Sequence, residues 1–484
     1  MSNTAQSAAS TRIASLLDAN SFVEIGGQIT ARSTDFNLSA KETPSDGVIT
    51  GYGVIDGSLV YVYSQDATVL NGTVGEMHAK KIARLYDFAM KTGAPVIGLI
   101  DCAGMRLQEA TDALNGFGEI YMQQTKASGV IPQITGIFGT CGGGMAMIPA
   151  LTDFTLMEEK KAKLFVNSPN AIEGNEISKC DTSAAEYQAK EAGLVDFKGS
   201  EEDVLAQIRA LVTMLPANNE DDMSYEECTD DLNRVCKDLA NCAGDTSIAL
   251  SQISDNNVFF EVKADYGKNV AVGFIRLNGA TVGAVANRSE SYDAEGKKVW
   301  ESDGTLSARG ARKAAEFVKF CDAFEIPVLT LVNVDGYKNC KCNEKKIAKA
   351  AARLTYAFAN ADVPKVTVVV GKANGTAGLT MNSKSIGSDI VYAWKNAKIG
   401  VMEAAPAVKI MYADEIAKAD NAAALINEKA AQYNEMQASA LAAAKRGYVD
   451  DIIEASETRQ RVVAAFEMLF TKREDRPSKK HGTI

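Results

Sequence analysis

The feature of this sequence that most constrains its fold is an internal repeat. Three pairs of residues stand 232 positions apart: Pro95 and Pro327, Gly104 and Gly336, and Pro132 and Pro364. Each proline precedes an apolar run typical of a buried strand, and the two glycines follow such runs. One offset shared by three matching contexts indicates a tandem duplication, so the two halves should fold alike. With 484 residues, the chain is also too long for one ordinary core.

Alternating strands and helices are predicted in both halves, which indicates an α/β fold. Hairpins are predicted at 47–64, with a turn at Asp56-Gly57, and at 273–286. The other predicted strands are 22–25, 95–100, 132–138, 154–157, 164–166, 327–332 and 363–370. The predicted helices are 10–19, 75–92, 116–128 and 311–324. Residues 217–243 are acidic and polar, so the expected domains are 1–243 and 244–484.

The glycine-rich stretch Gly139–Met145 is the first candidate site, between the predicted strand 132–138 and a possible helix start at 146–151. Consecutive glycines leave backbone N–H groups uncovered, and a helix start adds positive dipole character. Such a turn can hold an oxyanion, for example the enolate of a thioester. The alternative is a tight turn without a ligand. Adding 232 to Gly142–Gly144 gives Asn374–Thr376, which lies in the stretch that follows the predicted strand 363–370. A glycine-containing turn at the same register in both halves favours the functional interpretation.

Composition excludes several classes of function. A net charge of −11 argues against nucleic-acid binding. Only two histidines, His78 and His481, are present, which gives little support to a His-based triad or metal site. We expect His78, Asp101 and Glu109 to order the structure rather than to act as catalysts. A polyanionic ligand such as CoA would need local basic residues, and the candidates are Lys80, Lys81, Lys160, Lys161 and Lys163. For most of these lysines a solvated charged face is the favoured interpretation.

The expected location is the cytoplasm. The nine cysteines contain no CxxC pair and are best interpreted as reduced thiols. Met1–Arg12 lacks the apolar core of a signal peptide. No apolar run reaches the length of roughly 18 residues that a membrane-spanning helix needs.

Motifs along nearly the whole chain together resemble one family. They are Asp46–Gly53, Tyr63–Val69, Gly75–Lys81, Arg106–Glu109, Ala127–Gln133, Ala150–Phe154, Val262–Phe274, Phe320–Phe324, Met381–Lys384, Gly447–Asp451 and Lys479–Gly482. In these motifs the chain resembles the carboxyltransferase subunits of biotin-dependent acyl-CoA carboxylases and decarboxylases, of the propionyl-CoA and methylmalonyl-CoA type. The resemblance implies two tandem crotonase-like (ClpP/crotonase) domains, each a ββα spiral. It also implies a dimer-based assembly, usually a hexamer, with acyl-CoA bound by the N-terminal domain and biotin by the C-terminal domain.

The resemblance also implies the site residues. The predicted catalytic residues, which act through backbone N–H groups, are Gly142, Gly143, Gly144, Gly375, Thr376 and Ala377. The first three would stabilise the acyl-CoA enolate, and the others the biotin oxyanion. The predicted biotin-binding residues are Asn374, Gly375, Thr376 and Ala377. The predicted substrate-binding residues are Cys141, Gly104, Arg106 and Leu379. Leu379 stands where the family tunes acyl-chain size.

The implied reaction transfers a carboxyl group between carboxybiotin on a separate carrier protein and a short-chain acyl-CoA. The cofactor supplies the base, so no catalytic His, Asp or Lys is required. The expected partners are a biotin carboxyl carrier protein and either biotin carboxylase or membrane decarboxylase subunits. No metal, nucleic acid or direct membrane insertion is expected.

Departures from the family pattern leave alternatives open. The second turn is Gly375-Thr376-Ala377 where the family usually has Gly-Gly-Ala, and 335–337, 349–351 and 402–406 differ too. One alternative is a biotin-independent acyl-CoA decarboxylase or crotonase-type enzyme. Another is a non-catalytic paralogue in a hetero-oligomer. The direction, carboxylation or decarboxylation, and the acyl group also stay open.

Overall fold

The chain forms two compact units in the computed structural model, Met1–Ser224 and Tyr225–Ile484. The structure describes residues 7–32, 36, 41–221, 224–474, 477 and 479. The predicted boundary after residue 243 lies inside the second unit. Tyr225 forms a β-bridge with Ala280, and the Cys236 N–H donates to the Ser456 carbonyl at 3.0 Å, which ties this connection to the second unit.

A mixed sheet forms the centre of the first unit. Its strands are β1 Val23–Glu24, β2 Val48–Ile55, β3 Ser58–Gln65, β4 Val96–Cys102, β5 Gln133–Gly142, β6 Phe154–Glu158, β7 Lys163–Phe165 and β8 Phe197–Gly199. The order is β1-β2-β3-β4-β5-β6-β8, with β7 paired to β5 beyond the point where β6 ends. β1, β2 and β3 are antiparallel, and every pairing from β3 onward is parallel.

Helices of the first unit pack on this sheet. They are α1 Ala8–Leu16, α2 Glu76–Thr92, α3 Ala110–Ala127, α4 Met147–Ala150, α5 Ala185–Tyr187 and α6 Glu201–Met214. α2 shows why the sequence forms a helix here: Glu76 lies in its first turn, where an acid favours the helix dipole. It ends at Gly93, which adopts φ 62° as a left-handed cap. Its buried face includes Ile82 and Leu85, packed in the core under the sheet.

The second unit repeats this plan. Its strands are β9 Phe260–Val262, β10 Val270–Leu277, β11 Ala280–Asn287, β12 Glu290–Tyr292, β13 Lys298–Glu301, β14 Val328–Asp335, β15 Lys365–Asn374, β16 Ile390–Trp394, β17 Lys398–Gly400 and β18 Asp451–Ile453. The order is β9-β10-β11-β14-β15-β16-β18, with β17 paired to β15 and a separate β12–β13 ribbon. The helices are α7 Thr246–Ile253, α8 Ala308–Ala323, α9 Lys341–Asn360, α10 Gly375–Thr380, α11 Ala404–Met411, α12 Ala413–Lys418, α13 Ala422–Gln437, α14 Ala440–Lys445 and α15 Thr458–Leu469.

The duplication extends to the irregularities of the backbone. β14 and β15 begin at the constant offset from β4 and β5, as the proline pairs predict. The β4–β5 pairing shifts register between Ile100 and Cys102, and the β14–β15 pairing shifts between Val332 and Val334, again at that offset. Both predicted hairpins are confirmed, and the first turns at Asp56-Gly57 between β2 and β3.

Several predicted boundaries were wrong. β5 continues to Gly142, so Gly139–Gly142 is strand rather than turn. The reason is a second edge partner: residues 140–142 of β5 pair with β7 after β6 has ended. The helix after the turn is the single-turn α4, preceded by a 3-10 turn at Gly143–Ala146. α3 begins at Ala110, ahead of the predicted residue 116.

Candidate functional site

The first glycine turn begins where β5 ends. Gly142 pairs with Phe165 of β7, and a Cβ on Gly142 would lie 3.0 Å from Cζ of that ring. Gly143 adopts φ 62°, a left-handed conformation that favours glycine, and a Cβ there would meet no atom within 4 Å. The Tyr121 hydroxyl donates to the Gly144 carbonyl at 2.6 Å. These contacts fix the turn while leaving open space beside Gly143.

Gly104, which is predicted to bind substrate, lies against the same turn. It adopts φ 115°, and a Cβ there would lie 3.2 Å from the Gly142 carbonyl oxygen. Its own carbonyl accepts from the Val74 N–H at 2.9 Å. The β4 end and the β5 end therefore meet at Gly104 and Gly142, and only glycine permits this approach without distortion.

Cys141 does not present its side chain to substrate. It is fully buried, and its thiol donates to the Met145 carbonyl at 3.5 Å, across the turn. Burial raises the pKa of Cys141 well above its usual value, so the thiol stays neutral. The side chain supports the turn from the core side, so the predicted substrate-binding role of Cys141 can rest only on its backbone.

Arg106 also differs from its predicted substrate-binding role, because its guanidinium is fully buried and both terminal nitrogens bond to protein groups. Its Nη1 donates to Asp46 Oδ1 at 2.5 Å and to Glu109 Oε1 at 2.7 Å. Its Nη2 donates to the Thr73 carbonyl at 2.8 Å. Burial raises the pKa of Asp46 in spite of the opposing arginine charge. Arg106 thus holds together the loops that precede β2 and α2, and Glu109 orders them, as expected.

His78 occupies the same buried network. Its Nδ1 lies 2.9 Å from the Asp46 carbonyl oxygen, and its Nε2 lies 3.1 Å from Nε2 of Gln65. Burial and then the neighbouring Arg106 charge hold the pKa of His78 well below its usual value. A neutral, enclosed imidazole fits the structural role expected for it. His481 lies outside the described residues.

Two of the five candidate lysines for CoA have exposed ammonium groups without an ion pair to any described residue: Lys160 and Lys161. Lys80 and Lys163 each form an ion pair with an acidic side chain at 2.6 Å. Lys81 is buried and donates to oxygens of the loop before β2, and burial lowers its pKa to about 8.

The second glycine turn has the same construction in the other unit. β15 ends at Asn374, and Gly375 adopts φ 61°, at the constant offset from Gly143 with its φ of 62°. α10 begins at Gly375, and no side chain of the described residues caps its first N–H groups. The Asn374 Nδ2 donates to Asp335 Oδ1 at 2.7 Å. The backbone on which both predicted oxyanion sites depend is therefore alike in the two units.

A charged bridge supports the second turn. Lys372 Nζ lies 2.8 Å from Asp335 Oδ2 and 2.5 Å from Glu403 Oε1. Burial raises the pKa of Asp335, but hydrogen bonds from Lys372 and Asn374 outweigh it, and the net pKa lies below the usual range. The bridge joins the ends of β14 and β15 to the start of α11.

A cavity of about 810 Å³ opens beside this turn, within the second unit. Gly375, Thr376 and Leu379 line it, with Val401, Tyr433 and Arg446. Leu379, which is predicted to bind substrate, is 46% exposed and lines this cavity. Ala377 is fully buried, so only its backbone can contribute. The volume falls within the range of small-molecule and cofactor sites.

Sequence reasoning missed Tyr121 and the Lys372 bridge. Nothing in the spacing placed Tyr121 of α3 over Gly144, because the contact depends on how α3 packs on the end of β5. Lys372 and Asp335 each stand beside a recognised motif, but Glu403 approaches from a separate segment, after β17. No group of metal-ligating side chains occurs within the described ranges, and none of the helices they contain could span a membrane.

Fold and site together define a class: a tandem pair of crotonase-type α/β domains, each with a glycine turn after its central strand. The carboxyl transferase domain family matches residues 3–484, and the chain belongs to this family. It is 40% identical to the methylmalonyl-CoA decarboxylase subunit alpha of Propionigenium modestum, over 98% of this chain and 92% of that protein. It is 41% identical to the propionyl-CoA carboxylase carboxyltransferase subunit of Haloferax mediterranei, with the same coverage.

A solved structure extends the likeness to three dimensions. The transcarboxylase 12S structure with methylmalonyl-CoA and methylmalonic acid bound matches with a TM-score of 0.92 and 36% identity. The match covers 99% of this chain and 92% of that one. Transcarboxylase 12S is a hexamer assembly and a multienzyme core to which substrate binds. The predicted crotonase-like fold and the predicted family are both confirmed, and the chain is a carboxyltransferase of the biotin-dependent acyl-CoA type.

Proposed function

We propose that this chain transfers a carboxyl group between biotin, carried on a separate protein, and a short-chain acyl-CoA. The observation that supports this most is the pair of glycine turns, Gly143 at φ 62° and Gly375 at φ 61°, at one register in duplicated units. The transfer has two oxyanions to stabilise, one on each reactant, and the chain offers one turn for each. Propionyl-CoA and methylmalonyl-CoA enzymes among its relatives support a short acyl group.

At the first turn, we assign the N–H groups of Gly142, Gly143 and Gly144 to the enolate oxygen of the acyl-CoA thioester. Tyr121 holds the Gly144 carbonyl, which keeps the turn oriented before substrate arrives. Gly104 permits the close approach of the β4 end. Each well-placed donor in such a site is worth about 3 kcal/mol of transition-state stabilisation.

At the second turn, we assign the Thr376 and Ala377 N–H groups to the ureido oxygen of biotin. The residues fit the group: the adjacent cavity of about 810 Å³ is largely apolar, as a bicyclic ligand needs, and Gly375 and Thr376 line it. Asn374 and Ala377 are their immediate neighbours in the chain. Leu379 lines this cavity, and we assign it to contact with the acyl chain of the substrate. Biotin, when bound, supplies the carboxyl group and the base for the α-proton, so the chain needs no protein base.

The same proposal includes partners. A biotin carboxyl carrier protein and either a biotin carboxylase or membrane decarboxylase subunits would act with this chain, which would form a dimer-based homo-oligomer, a hexamer by analogy with transcarboxylase 12S. A cytoplasmic location fits the nine free cysteines, which a reducing compartment keeps unpaired.

One observation favours a second candidate, a biotin-independent acyl-CoA decarboxylase. Thr376 stands at the centre of the second turn, and its β-branched side chain lines the cavity, where a glycine would leave more space. This alternative keeps the first turn and its enolate chemistry and needs no carrier.

The test is decarboxylation of malonyl-CoA and methylmalonyl-CoA by the purified chain, with and without free biotin. We expect loss of the carboxylate that depends on biotin. Equal rates without biotin would replace the proposal by the biotin-independent decarboxylase. Binding of the CoA esters without turnover under either condition would favour the non-catalytic paralogue.

A further inference from the structure

Two thiols meet at the start of α9, outside the sites described above. Cys340 immediately precedes the helix in an extended conformation, φ −151° and ψ 153°, and Cys342 lies in its first turn. Their Sγ atoms are 3.0 Å apart. Cys342 is exposed and Cys340 is half-buried, so small molecules in solution can reach the pair. A disulfide requires that this distance close to about 2.05 Å and that the Cβ–Sγ–Sγ–Cβ dihedral angle reach roughly 90°.

The surroundings of the pair favour a thiolate. Lys338 and Lys341 flank Cys340 in the sequence, and Lys345 and Lys346 follow one turn later, all four exposed. The first-turn N–H groups of α9 add positive dipole character at the same place. The hydrogen bond from Cys342, followed by the Asn343 N–H, lowers the pKa of Cys340 below its usual value. The same positive charges attract an anionic reaction partner.

The first turn of α9 is anchored, so the two thiols are held together. Asn343 Oδ1 accepts from the Ala308 N–H at 2.7 Å, which joins α9 to the start of α8. Asn343 Nδ2 donates to the Lys338 carbonyl at 2.8 Å, which closes the loop before the pair. Little conformational freedom is therefore lost when the two sulfur atoms bond.

We propose that Cys340 and Cys342 form a redox-active dithiol that exchanges with anionic low-molecular-weight disulfides. The Cys340 thiolate attacks one sulfur of the small disulfide, that S–S bond breaks, and one thiolate leaves. The Cys342 thiolate then attacks Cys340 Sγ and displaces the second thiolate. The two protein thiols are oxidised to one disulfide, the small disulfide is reduced to two thiols, and the two released protons pass to these products.

The full chain offers its own control in Cys180, an exposed thiol of the first unit. The protein is treated with glutathione disulfide, which is anionic, and in parallel with cystamine, which is cationic. Digestion with a glutamyl protease leaves Cys340 and Cys342 in one peptide, and mass spectrometry follows it. We expect this peptide to lose two hydrogens, to regain them with dithiothreitol, and to react faster with glutathione disulfide than with cystamine. Cys180 should carry a stable adduct.

Two single variants identify the order of attack. Cys342→Ser should stop at a glutathione adduct on Cys340, and Cys340→Ser should form its adduct on Cys342 about tenfold more slowly. Serine is a favoured helix N-cap, so Cys340→Ser preserves the start of α9. Separate adducts on both cysteines of the wild-type peptide, at the rate measured for Cys180, would overturn the proposal. So would the absence of any reaction at the pair.

Discussion

Gly143 allows the first turn to form through its backbone conformation alone. Its φ of 62° suits glycine, whereas an L-residue there costs roughly 1–2 kcal/mol and a β-branched one more. We expect Gly143→Val to shift the turn, displace its N–H groups and lower biotin-dependent turnover at least about 100-fold. The fold should persist, because a Cβ at this position meets no atom within 4 Å. Decarboxylation rates and circular dichroism measure the two effects.

Gly57 provides a matched control for this prediction. It lies in the β2–β3 hairpin turn of the same unit, with φ 81° and equally open surroundings. Gly57→Val should lose similar stability but keep its turnover. Turnover of Gly143→Val within a few-fold of Gly57→Val would remove Gly143 from the mechanism.

Lys372 is expected to position the second glycine turn rather than to stabilise the fold. Its side chain is 39% exposed, and such ion pairs contribute only about 0–1 kcal/mol to folding. The bridge from Asp335 to Glu403 nevertheless fixes the approach to the second turn. We expect Lys372→Met to lower biotin-dependent turnover about tenfold with little change in unfolding temperature. Lys298, 38% exposed and paired with Glu290 and Glu301, is the control, and equal losses in Lys298→Met would contradict this role.

Lys313 predicts a dependence of stability on pH. Its Nζ is buried and donates to the Lys263 carbonyl at 3.1 Å, and burial lowers its pKa from 10.5 to about 7. Between these values the unfolded chain binds a proton that the native chain does not, so the free energy of unfolding rises with pH. Between pH 7 and pH 9, we expect the free energy of unfolding of the wild type to rise by about 2 kcal/mol relative to that of Lys313→Met.

Urea unfolding of wild type and variant at several pH values measures this difference. Lys319→Met, which removes an exposed amine from the same helix, controls for the loss of one lysine. Parallel curves for wild type and Lys313→Met across this range would mean that Lys313 stays protonated in the native chain.

At the scale of elements, α3 stabilises the first turn. Its Tyr121 hydroxyl donates a hydrogen bond to the Gly144 carbonyl, and the Phe117 ring of the same helix lies 6.0 Å from the Tyr121 ring. We expect Tyr121→Phe to cost about 1 kcal/mol of stability and to lower turnover about tenfold, because the carbonyl loses its partner and the turn loosens. Tyr86→Phe removes a buried hydroxyl from α2 in the same unit and should leave turnover unchanged. A loss of turnover shared by both variants would indicate general destabilisation instead.

The elements also show what a single sequence can predict. The constant offset identified both central strands and both hairpins, since these depend on local apolar patterns. It did not reveal the continuation of β5 to Gly142, which depends on pairing with β7, a strand distant in sequence. Likewise the sequence predicts that Cys141 and Arg106 bind substrate, but packing decides the direction of their side chains, and both point into the protein.

At the scale of the whole molecule, duplication has preserved scaffold more strictly than site chemistry. Lys81 and Lys313 are also related by the constant offset, and both are buried lysines that donate to loop carbonyls. The two turns keep the same φ, yet one is Gly-Gly-Gly and the other Asn-Gly-Thr. A shared backbone with different side chains suits two ligands that both need an oxyanion held but differ in shape.

If the first turn serves acyl-CoA and the second serves biotin, as proposed, substitutions should impair the two turns separately. We expect Gly143→Val to weaken the binding of methylmalonyl-CoA at least about tenfold, because N–H groups assigned to the enolate oxygen would also bond the same oxygen in the bound thioester. Gly375→Val, at φ 61°, should abolish biotin-dependent decarboxylation but leave methylmalonyl-CoA affinity within a few-fold of wild type. Isothermal titration with the CoA ester and turnover assays with biotin separate the two. Gly296→Val, in an open turn of the second unit with φ 76°, should change neither. Equal loss of CoA-ester affinity in Gly143→Val and Gly375→Val would show that both turns serve one ligand, and the assignment of biotin to the second unit would fall.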